Sequence, residues 1–325
     1  MSHSPFSLAR WGRGLALTVL TALGIAAWGS AMAQTAPVTA TALAGTISAP
    51  APAGAPAGMP AGVPAIAQDA ITGVVRMENG ALLAPEFARI ASRGELVVAV
   101  LGVDQPPFFE EKNGQLKGFD IDFAHEIARK LGVRVRFNRE ARTFDGVVTL
   151  LAQGQADIAI SKLSRTLSRA RVISFSAPYL SLKRALLLNR VKFAQLAQGR
   201  SVPEVVRAYT GSIGVVANSS YADYVGANFP KAKVRTYPTW PAVLTALDAG
   251  EIDAAYRDEF EVKRVLKADP TASLRLRVVT LQDLEDTLGI AVNASDQALL
   301  GFVNLYLADR SERLDVNVVL QATNL

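Results

Sequence analysis

Cysteine is missing from this 325-residue chain altogether, and histidine occurs only at positions 3 and 125. The first absence excludes disulfides, cysteine nucleophiles and thiolate metal ligands. The second all but removes Ser-His-Asp triads and histidine metal sites, since His3 falls in a segment expected to be cut away. No metal or cofactor is therefore expected. Long apolar runs are lacking as well. The uncharged stretch from Gly14 to Trp28 is shorter than the ~20 residues a membrane helix needs, and no later segment qualifies. Because Arg10 and Arg13 precede that stretch and Ala31-Met32-Ala33 follows it, residues 1–33 read as a cleavable export signal. The two arginines are not adjacent, so it is not of the twin-arginine kind. With no cysteine at the cleavage point to carry a lipid, the mature chain is expected free in the periplasm.

A large excess of either charge is also absent. Lysine and arginine number 34 against 29 acids, and removing Arg10 and Arg13 leaves 32 − 29 = +3. Such a balance suits solubility and gives no reason to expect nucleic acid or membrane as a partner. Residues 34–70 are mostly Ala, Pro, Gly and Thr with no charge before Asp69, a composition without an amphipathic face. They are expected to form a disordered, partly polyproline spacer, with the folded part beginning near Ile71 or as late as Pro85.

From Leu96 the apolar pattern becomes regular. Leu96 to Leu101 reads as a strand, ended by Pro106-Pro107. Lys112-Asn113-Gly114-Gln115 is a turn. Residues 118–131 read as a helix with Asp120 as N-cap, Asp122 in the first turn, and an apolar stripe of Ile121, Ala124, Ile127, Ala128 and Leu131, closed by Gly132. His125 falls off the stripe and reads as a surface residue. A strand follows over 133–137, then a helix over 144–152 capped by Thr143, then a buried strand ending at Ile160.

A repeat appears at an offset of 96 residues. Thr143-Phe144, Val147, Thr149, Leu151, Gly154 and Asp157 correspond to Thr239-Trp240, Val243, Thr245, Leu247, Gly250 and Asp253. Each copy spells a capped helix, a glycine stop and an apolar strand opened by aspartate, so two similar α/β lobes are expected. Equivalent strand ends lead into Ser161-Lys162 in one lobe and Arg257-Asp258 in the other. Lobe 1 is assigned to 71–185 plus 286–325 and lobe 2 to 186–285, with apolar crossings near 185–188 and 278–288 serving as hinges. In lobe 2, strands are expected over 212–216 and 233–237, and a helix from Tyr221 to Val225 follows Ser219 and Ser220. Further helices are expected over 260–266 and 298–307.

The stretch Ser161 to Tyr179 carries the chemistry. Arg169 presents a planar fork of donors suited to a carboxylate, with Ser164 and Thr166 as helpers. Arg165, Arg169 and Arg171 would equally fit a solvated basic face. Ser219 and Ser220 before a helix form a second anion site, and Asp258 would suit an ammonium. An arginine and hydroxyls facing an aspartate describe a receptor for a zwitterion.

Gly118-Phe119-Asp120-Ile121-Asp122-Phe123-Ala124, Thr166-x-x-Arg169 and Phe175-Ser176-x-Pro178-Tyr179 resemble the signature of the periplasmic solute-binding proteins of polar amino-acid ABC importers, family 3. The similarity runs from about Arg93 to Val292. It implies a type II periplasmic binding protein: two three-layer α/β lobes joined by two crossovers, hinge closure on the ligand, delivery to permease subunits in the inner membrane, and a monomer without enzymatic activity. Carried over on these motifs, Arg169 would grip the ligand carboxylate with Ser164 assisting. Ser219 and Ser220 would meet it from lobe 2, Asp258 would take the ammonium and Phe144 would stack on the side chain. Ser161, Lys162, Thr166 and Gln105 complete the expected site. Three departures bear on the ligand. Gln105 replaces an aromatic wall, Lys162 replaces a small residue and could pair with Asp258 or touch an acidic ligand, and Gly102 stands where binders of basic amino acids often carry an acid. Two other readings stay open. A lyase or dehydratase on this fold would need a proton-transfer group, for which Lys162, Glu259 and Glu110 are the candidates. The sensing module of a receptor would need a membrane span and an output domain, and neither is present in the sequence.

Overall fold

The computed structural model describes residues 73–310 and 314–322, so the expected export signal and Ala/Pro-rich spacer lie outside the described residues. After a short hairpin, β1 (Val75–Arg76) and β2 (Leu82–Leu83), helix α1 (Pro85–Arg93) leads into β3 (Glu95–Ala99). The hairpin of β4 (Glu110–Lys112) and β5 (Gln115–Lys117) precedes α2 (Phe119–Leu131), followed by β6 (Arg134–Asn138), α3 (Phe144–Ala152) and β7 (Ile158–Ala159). A long strand, β8 (Ile173–Asn189), carries the chain into the second lobe. There α4 (Arg190–Ala197), α5 (Val202–Arg207), β9 (Ser212–Val216), α6 (Ser220–Asn228), β10 (Lys233–Tyr237), α7 (Trp240–Asp248), β11 (Ala254–Asp258) and α8 (Glu259–Ala268) follow in turn. A second long strand, β12 (Leu276–Asn293), returns the chain to α9 (Gln297–Asp309) and α10 (Val316–Ala322).

The strand order β10-β9-β11-β8-β12-β7-β3-β6 reads the same from either end when lobe 1 is exchanged for lobe 2. In lobe 1, β6, β3 and β7 run parallel and β12 is antiparallel to β7; in lobe 2, β10, β9 and β11 run parallel and β8 is antiparallel to β11. The two long strands pair with each other along most of their length and slip register between Leu281 and Glu285, where the chain passes from one lobe to the other. Every residue of β9 and β11 is buried, as is required of parallel strands covered on both faces. The outer strands β6 and β10 carry Arg134, Arg136, Lys233 and Arg235, charges that discourage edge pairing.

The 96-residue repeat is structural. Thr143 accepts from the Gly146 amide and Thr239 from the Ala242 amide, capping α3 and α7 alike, and Gly154 and Gly250 both turn at φ 72°. The repeated aspartates do the same work. Asp157 Oδ2 accepts from the Val97 amide of β3 at 2.8 Å, and Asp253 Oδ2 from the Ser212 amide of β9 at 2.7 Å, so each ties its strand to the first strand of its lobe.

One local expectation is corrected. The N-cap of α2 is Gly118, not Asp120. At φ 129°, a Cβ on Gly118 would lie 2.3 Å from the Phe108 carbonyl oxygen, so only glycine fits where the helix starts against the Pro107-Phe108 backbone. Asp120 sits one turn position further in, fully buried, with its carboxylate directed into the protein. His125 is exposed, edge-on to Phe137.

Candidate functional site

Strand β7 delivers the loop 160–168 to the edge of lobe 1, and three contacts hold it there. Ser161 Oγ accepts from the Leu101 amide at 2.9 Å. The Lys162 amide donates to Asp120 Oδ2 at 2.6 Å, which keeps Lys162 at φ 47°, and the Tyr179 hydroxyl donates to the other Asp120 oxygen at 3.0 Å. Burial pushes the Asp120 carboxyl up to about 7, against the two donors that favour its charge.

Lys162 is buried, and it is the first predicted site residue to cross between lobes. Its Nζ lies 2.8 Å from Glu261 Oε1 and 3.2 Å from Asp258 Oδ2, with the rings of Phe108 and Phe260 at 5.0 and 5.1 Å. Of the two roles open to it from the sequence, the salt bridge to Asp258 is the one it adopts. Asp258 ends β11 and caps α8, its Oδ1 accepting from the Glu261 amide at 2.9 Å. Burial raises Glu261, but Lys162, Arg257 and Arg264 outweigh it and hold the carboxyl at about 2.

The hydroxyls also meet across the lobes. Ser220 Oγ donates to Ser164 Oγ at 2.8 Å, Ser164 Oγ donates to Asp286 Oδ2 at 3.0 Å, and the Tyr221 hydroxyl donates to the same oxygen at 3.0 Å. Ser168 Oγ donates to Asp223 Oδ2 at 2.6 Å, a further bond between lobes. Ser219, the N-cap of α6, donates its hydroxyl back to the Val216 carbonyl and does not cap the helix with it. These contacts enclose a cavity of about 10 Å³, near the minimum for one water. Of the residues expected from the sequence, Phe144, Lys162, Ser164, Ser219, Ser220 and Asp258 line it.

Arg169, Thr166, Ser161 and Gln105 stand behind that lining. Arg169 is buried, but its Nε and Nη2 donate to Asp145 Oδ1 at 3.0 and 2.9 Å and its Nη1 to the Ser164 carbonyl at 3.0 Å. Thr166 Oγ1 accepts from the Arg169 amide at 3.2 Å. Gln105 Oε1 lies 3.4 Å from Arg257 Nη2, joining the lobes weakly.

Sequence reasoning missed Arg257, Tyr221 and Asp286, all of which line the cavity. Arg257 is flanked by Phe144, Trp240 and Tyr221, with ring centroids 5.7 to 5.9 Å from the guanidinium carbon. The 96-residue repeat held the signal for Arg257, which sits on the strand matching the one that leads to Ser161. Asp286 gave none, since it lies within the crossing strand β12. Burial, and then the charge of Asp258, raise its pKa.

The comparisons with known proteins agree with this architecture. Residues 96–315 match the family model described as bacterial extracellular solute-binding proteins, family 3. The chain is 26% identical over 230 residues to ABC transporter arginine-binding protein 1 of Escherichia coli (strain K12), covering 70% of this chain and 90% of that protein. Among solved structures it resembles the amino acid ABC transporter substrate-binding protein AbpA of Streptococcus pneumoniae bound to L-arginine, at 25% identity and TM-score 0.58, covering 72% of this chain and 96% of that one. It also resembles the ancestral amino acid-binding protein AncCDT-1, a precursor of cyclohexadienyl dehydratase, at 30% identity and TM-score 0.56, with coverage of 68% and 91%. Two mirrored α/β lobes, two crossover strands and a charged cavity between equivalent strand ends have their place among these relatives: the chain belongs to the bacterial extracellular solute-binding proteins, family 3, with the type II periplasmic binding protein fold.

Proposed function

We propose that the protein captures an amino acid, or a closely related small carboxylate, between its lobes in the periplasm and delivers it to the permease of an ABC importer. The observation that carries this reading is the cavity lining: opposed cations, carboxylates and hydroxyls contributed by equivalent strand ends of both lobes. Each charge-assisted hydrogen bond to a ligand held there contributes about 1.5–3 kcal/mol, and a few give micromolar affinity. A cavity of about 10 Å³ cannot admit such a ligand, so the lobes part about the paired β8 and β12 and close again around it. Arg169 remains the candidate for the carboxylate on lobe 1. Asp145, its present partner, has a side chain 48% exposed, so a ligand carboxylate would exchange for a hydrated one. Thermal-shift screening of the full chain against amino acids and small carboxylates, followed by calorimetry, tests the reading. A micromolar ligand is expected, and no binding from either class would overturn it.

A periplasmic lyase is the second reading, favoured by Lys162, a proton-transfer group lining the cavity beside two carboxylates. The other two candidates are committed elsewhere. Glu259 accepts from the Lys183 amide and pairs with Lys263, and Glu110 pairs with Lys112 on the β4–β5 hairpin. Turnover of a bound carboxylate would favour the lyase; its recovery unchanged would favour capture.

A further inference from the structure

Two buried polar atoms of the cavity lining have no hydrogen-bond partner in the protein, and their chemistry is opposite. One is a donor, Nε of Arg257; the other is an acceptor, Oδ1 of Asp286. Leaving such atoms unpaired costs about 1–3 kcal/mol each, more when charged, so both mark places where a ligand atom is wanted. Building on the amino-acid reading above, we propose that Arg257 and Asp286 are the poles between which a zwitterionic α-amino acid is held, its carboxylate toward Arg257 and its ammonium toward Asp286.

The alternatives are already engaged. Arg169 spends its donors on Asp145 and Ser164. Asp258 has Oδ1 on the Glu261 amide, and its Oδ2 faces two cations, Lys162 Nζ at 3.2 Å and Arg257 Nε at 3.5 Å. A ligand ammonium there would be the third positive charge on one carboxylate. Asp286 is the converse. It is 2% exposed, takes hydroxyl protons from Ser164 and Tyr221 on one oxygen only, and makes no ion pair among the described residues. A buried carboxylate without a counterion is unstable, and an ammonium supplies both the charge and the missing proton donor. Arg257, 4% exposed and flanked by three aromatic rings, offers its Nε in a site where water competes little. Tyr221 lies close enough to both poles for their charges to bear on its hydroxyl, which places them around one side chain.

Calorimetry on the full chain tests this with the tightest-binding proteinogenic L-amino acid, its methyl ester and its 2-hydroxy acid. The wild type is expected to prefer the amino acid to each analogue by at least about tenfold, or about 1.4 kcal/mol. Arg257→Met should erase the preference over the ester and keep that over the hydroxy acid; Asp286→Asn should do the reverse. A purely structural role would weaken all three ligands together. The proposal is overturned if both preferences survive in both variants, or if they vanish instead in Arg169→Met and Asp258→Asn. Should a variant fail to fold, a crystal structure of the wild type with that amino acid decides. Carboxylate on Arg257 and nitrogen on Asp286 is expected, and carboxylate on Arg169 with nitrogen on Asp258 overturns the assignment. Failure of every amino acid to bind would remove the amino-acid reading and this inference together, whereas binding that ignores both residues removes this inference alone.

Discussion

Replacing Lys162 by methionine keeps the length of the side chain and removes the one ammonium between Asp258 and Glu261. Glu261 has an ordinary value of 4.5 and is held at about 2, a difference of about 2.5 units; at about 1.36 kcal/mol per unit, the cations around it stabilise the folded protein by about 3 kcal/mol. Lys162 is the closest of them at 2.8 Å, and removing one partner of a buried pair costs about 3–5 kcal/mol. Lys162→Met is therefore expected to lose about 3 kcal/mol in urea unfolding at about pH 7. The sign with pH follows from a depressed carboxyl. Its stabilisation is present above the unfolded value of 4.5 and is lost as pH falls through about 2, so the gap between variant and wild type narrows on acidification. Lys162→Met with Glu261→Gln should recover much of the loss, because the uncompensated charge is gone. A loss under about 1 kcal/mol, or one that does not change with pH, would refute the view that this ammonium is the counterion of the cluster.

Asp120 gives the opposite pH dependence. Its folded value of about 7 lies above the ordinary 3.8, so the stability it allows is fully present below pH 3.8 and lost as pH rises through about 7. Asp120→Asn should flatten this decline, a difference approaching about 4 kcal/mol, measured by urea unfolding on either side of that window. Gly118→Ala should destabilise by more than about 2 kcal/mol in the same assay, since its Cβ meets the Phe108 and Pro107 carbonyl oxygens at 2.3 and 2.5 Å. Thr143→Ala and Thr239→Ala should each cost about 1 kcal/mol, and near-equal losses would reflect the equivalence of the two caps.

Local grammar made most of the fold legible. Thr143 and Thr239, the glycine stops at 154 and 250, and the aspartates at 157 and 253 each act through contacts within a few residues or with the neighbouring strand, so their spacing alone revealed two lobes. The crossovers were less legible. Short apolar runs stood out, but β8 and β12 extend over 17 and 18 residues because they pair with each other, and pairing over that separation leaves no local pattern. Asp120 deceived for a related reason. Its position at a helix start suggested capping, whereas its carboxylate reaches 42 residues along the chain to the Lys162 amide. Within the site, Lys162, Ser164, Ser220 and Asp258 could be read from strand ends and helix starts. That Lys162 would lie against Glu261 and Asp258, or that Asp286 would meet hydroxyls of both lobes, depends on how the lobes close and is written in no single stretch.

The central claim, that a ligand enters and leaves between the lobes, can be tested by using the lack of native cysteine. Ser168 Oγ and Asp223 Oδ2 face each other across the cleft at 2.6 Å, outside the cavity lining, so Ser168→Cys with Asp223→Cys places a reducible clamp between the lobes. Calorimetric titration of the oxidised double variant with an amino acid that the wild type binds should give no heat, and reductant should restore the wild-type affinity. Equal affinity in the oxidised and reduced forms, with the disulfide verified by mass spectrometry, would contradict the account.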